Sequence, residues 1–126
     1  MDQIEGVSIL WAVGWHDGWT SGIAHLDDSP YWFEAAFDTA NEEYLEPRRL
    51  LLYRLTDAEF RYEAEVHDRF ERLVGNTAHC LHLLPEQRHG PTGSPELQSS
   101  FYESLGTSPP RDYTLRGAIG WTSPPV

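Results

Sequence analysis

The chain has 126 residues, a formal net charge of −11, and 40 % apolar and 13 % aromatic content, which suits one folded domain with its own core rather than a disordered segment. That acidity weighs against nucleic-acid binding, which needs an electropositive face, and the single cysteine, Cys80, excludes an internal disulfide. The acidic start lacks a basic-then-apolar leader and no apolar run is long enough to span a bilayer, so the expectation is a cytoplasmic protein with no membrane role.

From the first residue, Val7, Ile9, Trp11, Val13 and Trp15 alternate on one face, a strand signature. Asp17-Gly18 suits a type I′ turn, so Trp19 to Leu26 reads as the returning strand, with His16 opposite Trp19, Gly14 opposite Ser21 and Trp11 opposite Ala24. Asp27-Asp28-Ser29-Pro30 is turn chemistry. A third strand, Tyr31 to Phe37, sets Tyr31, Phe33, Ala35 and Phe37 against Trp32, Glu34 and Ala36. Residues 38–47 read as an acidic loop, and Arg48 to Leu55 as a fourth strand.

Thr56-Asp57-Ala58-Glu59 matches a capping box, in which side chains at both ends satisfy exposed N–H groups. The helix that follows spans residues 57–74 and turns Phe60, Ala64, Val66, Phe70, Leu73 and Val74 inward, with arginines and acids opposite. Ala78 to Leu84 is a short apolar segment. Ser94-Pro95-Glu96 predicts a short second helix over 95–105. Tyr113 to Trp121 reads as a last strand. The expected architecture is a single α+β domain over residues 1–121, an antiparallel meander of four or five strands with the long helix packed on it, followed by a loose tail at 122–126.

The stretch Asp17-Gly18-Trp19-Thr20-Ser21-Gly22, followed by Tyr31-Trp32-Phe33-Glu34, resembles a group of small bacterial proteins of uncharacterised function. They share an Asp-Gly-x-x-Ser-Gly hairpin and a Tyr/His-x-Phe-Glu strand. The resemblance covers about the first 55 residues. It implies the meander and no activity.

The first 47 residues hold ten carboxylates and no Lys or Arg, while the remaining 79 hold ten acids and nine arginines. Four of the five tryptophans lie in that first part. Such a half attracts cationic surfaces. Within it, Asp38, Glu42, Glu43 and Glu46 surround Tyr44 and Leu45, either as a solvated loop or as a lobe that steers a basic partner. Trp11 and Trp15 suit the core, whereas Trp19 and Trp32 are free to face outward as contact residues.

Glu63 and His67 fall inside the apolar arc of the helix, four residues apart. They read either as a satisfied polar pair at the helix–sheet seam or as an acid/base pair in a pocket. His79, Cys80 and His82 lack the paired spacing of a zinc site, so no metal is expected. The chain carries no phosphate loop, nucleophile elbow or His-Glu-x-x-His motif, so no cofactor is expected either. The functional expectation is an interaction module of inhibitor, immunity or adaptor type that binds a basic protein surface. The alternative is a small enzyme or ligand-binding protein using Glu63 and His67.

Overall fold

A computed structural model describes residues 1–15, 18–73 and 111–125. Strands β1 (Ser8–Trp15), β2 (Trp19–Leu26) and β3 (Ser29–Ala35) form the expected meander. A small hairpin of β4 (Phe37–Asp38) and β5 (Glu43–Tyr44) precedes β6 (Leu50–Arg54). Helix α1 (Asp57–Leu73), a 3-10 turn at Tyr113–Arg116 and strand β7 (Gly120–Thr122) follow. The main sheet has five antiparallel strands in the order β1-β2-β3-β6-β7, with β4 and β5 paired separately.

Turn chemistry sets the β2–β3 register. Asp27 and Asp28 both adopt positive φ, 50° and 62°, and Leu26 pairs with Ser29 across them. This is the two-residue type I′ geometry, which aspartate tolerates because its short side chain can hydrogen-bond locally. The β1–β2 ladder is less regular than its sequence predicts. Gly14 does pair with Ser21, but Trp11 lies opposite Ile23 rather than Ala24, and Trp15 rather than His16 lies opposite Trp19. Register shifts along the pair displace it by a residue at a time, and each such irregularity bends a strand and increases its twist. His16 and Asp17 lie outside the described residues.

That bending closes the sheet on itself. Residues 2–4 add to the free edge of β7: Ile4 N–H donates to the Trp121 carbonyl at 2.7 Å, and Trp121 N–H to the Asp2 carbonyl at 3.1 Å. Yet Ser8, four residues on from Ile4, begins the strand at the opposite edge. Four residues reach at most ~14 Å, whereas five strand spacings in a flat sheet come to ~24 Å. The sheet must therefore curl until its edges nearly meet. Gly120 permits this approach, because a Cβ there would lie 2.5 Å from the Ile4 side chain and 2.8 Å from the Asp2 carbonyl oxygen.

Curling separates two cores. Inside the curve, Ala12, Trp19, Ala24, Tyr31, Phe33, Ala35, Leu50 and Leu52 are buried, with Ile4, Val7, Ile9, Leu26 and Ile119 against them. Gly22 lies within this layer; a Cβ would meet the Trp11 carbonyl oxygen at 2.2 Å and the Phe33 ring at 2.7 Å. The ring occupies the space that a side chain would take. On the outer face Ile23, Trp32, Tyr53, Leu55 and Tyr113 form a second cluster, joined by Trp11 and by Phe60 of α1. Full burial of each large apolar side chain contributes about 1.5–3 kcal/mol.

Helix α1 starts as its capping box requires. Thr56 N–H donates to Glu59 Oε1 at 2.8 Å, and Glu59 N–H to Thr56 Oγ1 at 3.1 Å. Phe70 is buried, Phe60, Ala64 and Val66 are half-buried, and Arg61, Glu65, Asp68 and Arg72 face solvent, so the expected inward face holds over these residues. Three expectations are corrected. Phe37 does not continue the inward face of the third strand, because β3 ends at Ala35 and Phe37 instead opens the separate hairpin. Tyr113–Arg116 is a 3-10 turn, leaving only Gly120–Thr122 as the last strand. Thr122 belongs to that strand and is buried, not part of a loose tail. The expected helix at 95–105 lies outside the described residues, as does the segment at 78–84.

Candidate functional site

Among the described residues, two constellations bring polar groups together: a seam between α1 and the 3-10 turn, and a cleft at the foot of the acidic hairpin.

At the seam, Glu63 is only 1 % exposed. Arg111 Nε donates to Oε2 at 3.0 Å and more distantly to Oε1 at 3.2 Å, Arg111 Nη2 to Oε1 at 2.9 Å, and the Tyr113 hydroxyl to Oε2 at 2.7 Å. Four hydrogen bonds occupy the roughly four lone-pair positions of a carboxylate, so the Glu63 oxygens are engaged within the protein. Burial disfavours the charged form of Arg111, but its bonds to Glu63 outweigh this and hold its pKa above the ordinary value. Burial, followed by the bond to Glu63, raises the Tyr113 phenol well above its usual range. The Arg111 guanidinium also lies over the Trp32 ring at 5.4 Å.

His67 is engaged differently from the expected pair. Its ring stacks on Trp11 at 4.5 Å between centroids with an interplanar angle of 8°, and its Nε2 lies 3.2 Å from Glu71 Oε1. Glu63 is thus a strut tying the helix to the turn, and His67 belongs to an aromatic stack with Trp11 and Phe60. This geometry lends the acid/base reading no support. Arg111 and Tyr113, which complete the strut, were invisible to sequence reasoning because they lie 48 and 50 residues from Glu63.

The second constellation gathers most of the acidic candidates. Residues 38–43, from Asp38 on β4 to Glu43 on β5, form a structured turn rather than the expected loop. Asp38 accepts from the backbone N–H of Ala40 at 3.0 Å and from the Asn41 side-chain amide at 2.6 Å. The Asn41 side chain, then its backbone, hold the Asp38 carboxyl below its usual pKa. Glu42 takes a left-handed φ of 53°, an uncommon conformation for this residue type. Glu42, Glu43 and Glu46 are exposed. Tyr44 is half-buried between the edge of Phe37, 5.1 Å away, and the Arg48 guanidinium, 4.7 Å above its ring. Arg48 in turn donates to Glu46 at 3.0 Å and to the buried Trp19 carbonyl at 3.0 Å, fastening the hairpin to the start of β2.

Trp19 and Trp32 do not face outward as expected. They are 8 % and 3 % exposed and belong to the inner and outer cores respectively. The residues presented instead are Phe37, 49 % exposed, and Leu45, 39 % exposed. A cleft of about 230 Å³ opens beside Phe37, lined by Thr20, Ser21, Glu34, Ala35, Phe37 and Tyr44. Ser21 and Glu34 are cross-strand partners. Sequence reasoning did not single them out, although the meander that it assigned places them on adjacent strands.

Among the described residues no group of three or more His, Cys, Asp or Glu side chains is placed to hold a metal, and no helix is long and apolar enough to cross a membrane. His79, Cys80 and His82 lie outside the described residues. Over the described residues, fold and site together define an α+β protein with a curled five-stranded antiparallel sheet, a long helix packed on it and an acidic hairpin beside a small cleft. Comparisons with protein-family models, with curated proteins and with solved structures find no match.

Proposed function

We propose that this protein is an interaction module of inhibitor, immunity or adaptor type, working in the cytoplasm, that binds an electropositive protein surface through its β4–β5 hairpin. The carrying observation is the exposure of Phe37 and Leu45 among the carboxylates Glu42, Glu43 and Glu46. Interfaces draw their affinity from apolar anchors that become fully desolvated, while the charged rim governs encounter rate and partner choice. The hairpin offers both within one short segment. Since the indoles of Trp19 and Trp32 are sealed in the cores, the aromatic contribution falls to Phe37 and the exposed part of Tyr44. Arg48 couples the hairpin to the inner core through Trp19, so the binding surface is pre-organised and loses less freedom on docking.

The test is affinity capture from native lysate at low and high salt, using the protein and its Glu42→Arg/Glu43→Arg/Glu46→Arg variant. The expected result is a basic partner released as salt rises, bound at least about tenfold more weakly by the variant with a flatter salt dependence. Equal affinity for the triple variant would remove the steering role. Phe37→Ser and Leu45→Ser separate anchoring from steering, because they lower affinity at high and low salt alike.

A further inference from the structure

The cleft beside the hairpin has a chemistry of its own. Its volume of about 230 Å³ falls below the about 300–1,000 Å³ of sites that engulf drug-sized molecules or cofactors, so it suits a side-chain-sized group. Its polar lining residues are Thr20, Ser21 and Glu34, and Ala35, Phe37 and Tyr44 complete the lining. Glu34 Oε1 accepts the Trp32 indole N–H at 3.2 Å, which orients the carboxylate from a buried anchor. Arg48 rests over the Tyr44 ring, a contact of the same kind that a guest guanidinium would make with the exposed Phe37 ring. The surrounding negative charge disfavours an anion.

We propose that this cleft binds a guanidinium group, with Glu34 as the counter-charge, the two hydroxyls as acceptors and the Phe37 and Tyr44 rings as walls. This rests on the proposed function, since the arginine would be supplied by the basic partner held on the hairpin; a free guanidinium compound is the other source with the same chemistry. A planar fork of N–H donors matches a carboxylate with neighbouring hydroxyls, and a delocalised cation is attracted to aromatic faces. A neutral isostere such as the urea head of citrulline retains the shape and most of the donors but loses the charge.

The experiment is a titration followed by the Trp32 indole N–H resonance, which reports on Glu34 directly. The probes are N-acetyl-arginine amide, N-acetyl-citrulline amide and an arginine-containing octapeptide. The arginine amide should shift the resonance and saturate with a Kd on the order of 1 mM, as befits a single small head group. The citrulline amide should cause no saturable shift. Glu34→Gln keeps an acceptor for the indole and should weaken the arginine amide by about tenfold or more, the effect of losing one desolvated charge pair. Equal binding of citrulline, an unchanged Kd in Glu34→Gln, or no shift with the arginine amide each overturn the site, and the citrulline comparison stands even if the variant folds poorly. The octapeptide should bind more tightly than the amide and also depend on Glu34. If the amide needs Glu34 but partner capture does not, the arginine of the partner is overturned as the source and the free cation takes its place. The hairpin reading fails separately: capture would then be indifferent to Glu42→Arg/Glu43→Arg/Glu46→Arg, while the arginine amide titration keeps its expected form.

Discussion

Replacing Arg111 with alanine tests the strut at the helix–turn seam. It leaves the Glu63 carboxylate, 1 % exposed, with the Tyr113 hydroxyl as its remaining donor from the 111–113 segment. Removing one member of a buried pair costs about 3–5 kcal/mol, because the other charge stays desolvated. The Arg111 side chain is itself 38 % exposed, so water reaches part of the vacated site and reduces the loss to about 2–3 kcal/mol. With a urea dependence of about 1.5 kcal/mol per molar for a chain of this size, the midpoint should fall by roughly 1.3–2 M. Arg111→Lys keeps the charge but loses the two-pronged geometry, so about half the loss is expected. Glu63→Met with Arg111→Met removes both charges. That double variant should be less destabilised than the sum of its singles by at least about 1 kcal/mol. Urea unfolding followed by tryptophan fluorescence reads all five variants, the two Met singles included, with Trp32 lying under the guanidinium. A midpoint shift below about 0.3 M for Arg111→Ala, or additive singles, would falsify the claim that this pair is a desolvated strut.

The remaining predictions concern pH, packing and the hairpin. Hydrogen bonding to Arg116, followed by the capping contacts with Thr56, lowers the Glu59 carboxyl from 4.5 to about 2. The unfolded chain therefore takes up this proton first as pH drops, so the stabilisation is complete above about pH 5 and is lost toward about pH 2; partial solvent exposure limits it to about 1 kcal/mol. Stability measured across that range should fall less steeply for Glu59→Gln than for the native chain, and parallel curves would contradict the linkage. Gly22→Ala places a methyl group 2.2 Å from the Trp11 carbonyl oxygen, where backbone as well as a ring must move, so a loss of about 3 kcal/mol or outright unfolding is expected; a melting temperature within a degree or two of native would show that β1 and β2 do not approach as described. Glu42→Asn replaces a left-handed glutamate with a residue that tolerates the conformation, and stability should hold or rise by up to about 1 kcal/mol while binding of the basic partner weakens. Weakened stability with unchanged binding would reverse the proposed division between fold and function at that position.

Local rules were legible wherever short-range geometry decides the outcome. The strand character of Ser8–Trp15 and Trp19–Leu26, the paired aspartates at 27 and 28, and the Thr56–Glu59 capping box all act over a few residues, so the meander and the start of the helix could be read directly from the chain. The single face expected for Val7, Ile9, Trp11 and Val13 breaks at the register shift between Ile9, on the inner core, and Trp11, on the outer cluster. The inward face of α1 was legible too, including the placement of Glu63 and His67 on it. Their partners were not. Arg111 and Tyr113 come from nearly fifty residues away, and no periodicity links them to the helix. Trp32 misled because alternation assumes that only one sheet face is covered. Curling gives this sheet two apolar faces, an interior and a helix-covered exterior.

The amino-acid order by itself thus settled the meander, the helix and the concentration of charge in the first 47 residues, since each depends on contacts between near neighbours or on simple composition. The folded arrangement decided which rings are sealed and which are presented, turned a stretch of acids into a hairpin fastened by Arg48, and set Ser21 beside Glu34 at a cleft. These outcomes depend on strand closure and on packing between residues far apart in the chain, where register shifts of a single residue redirect side chains and no local pattern records the result.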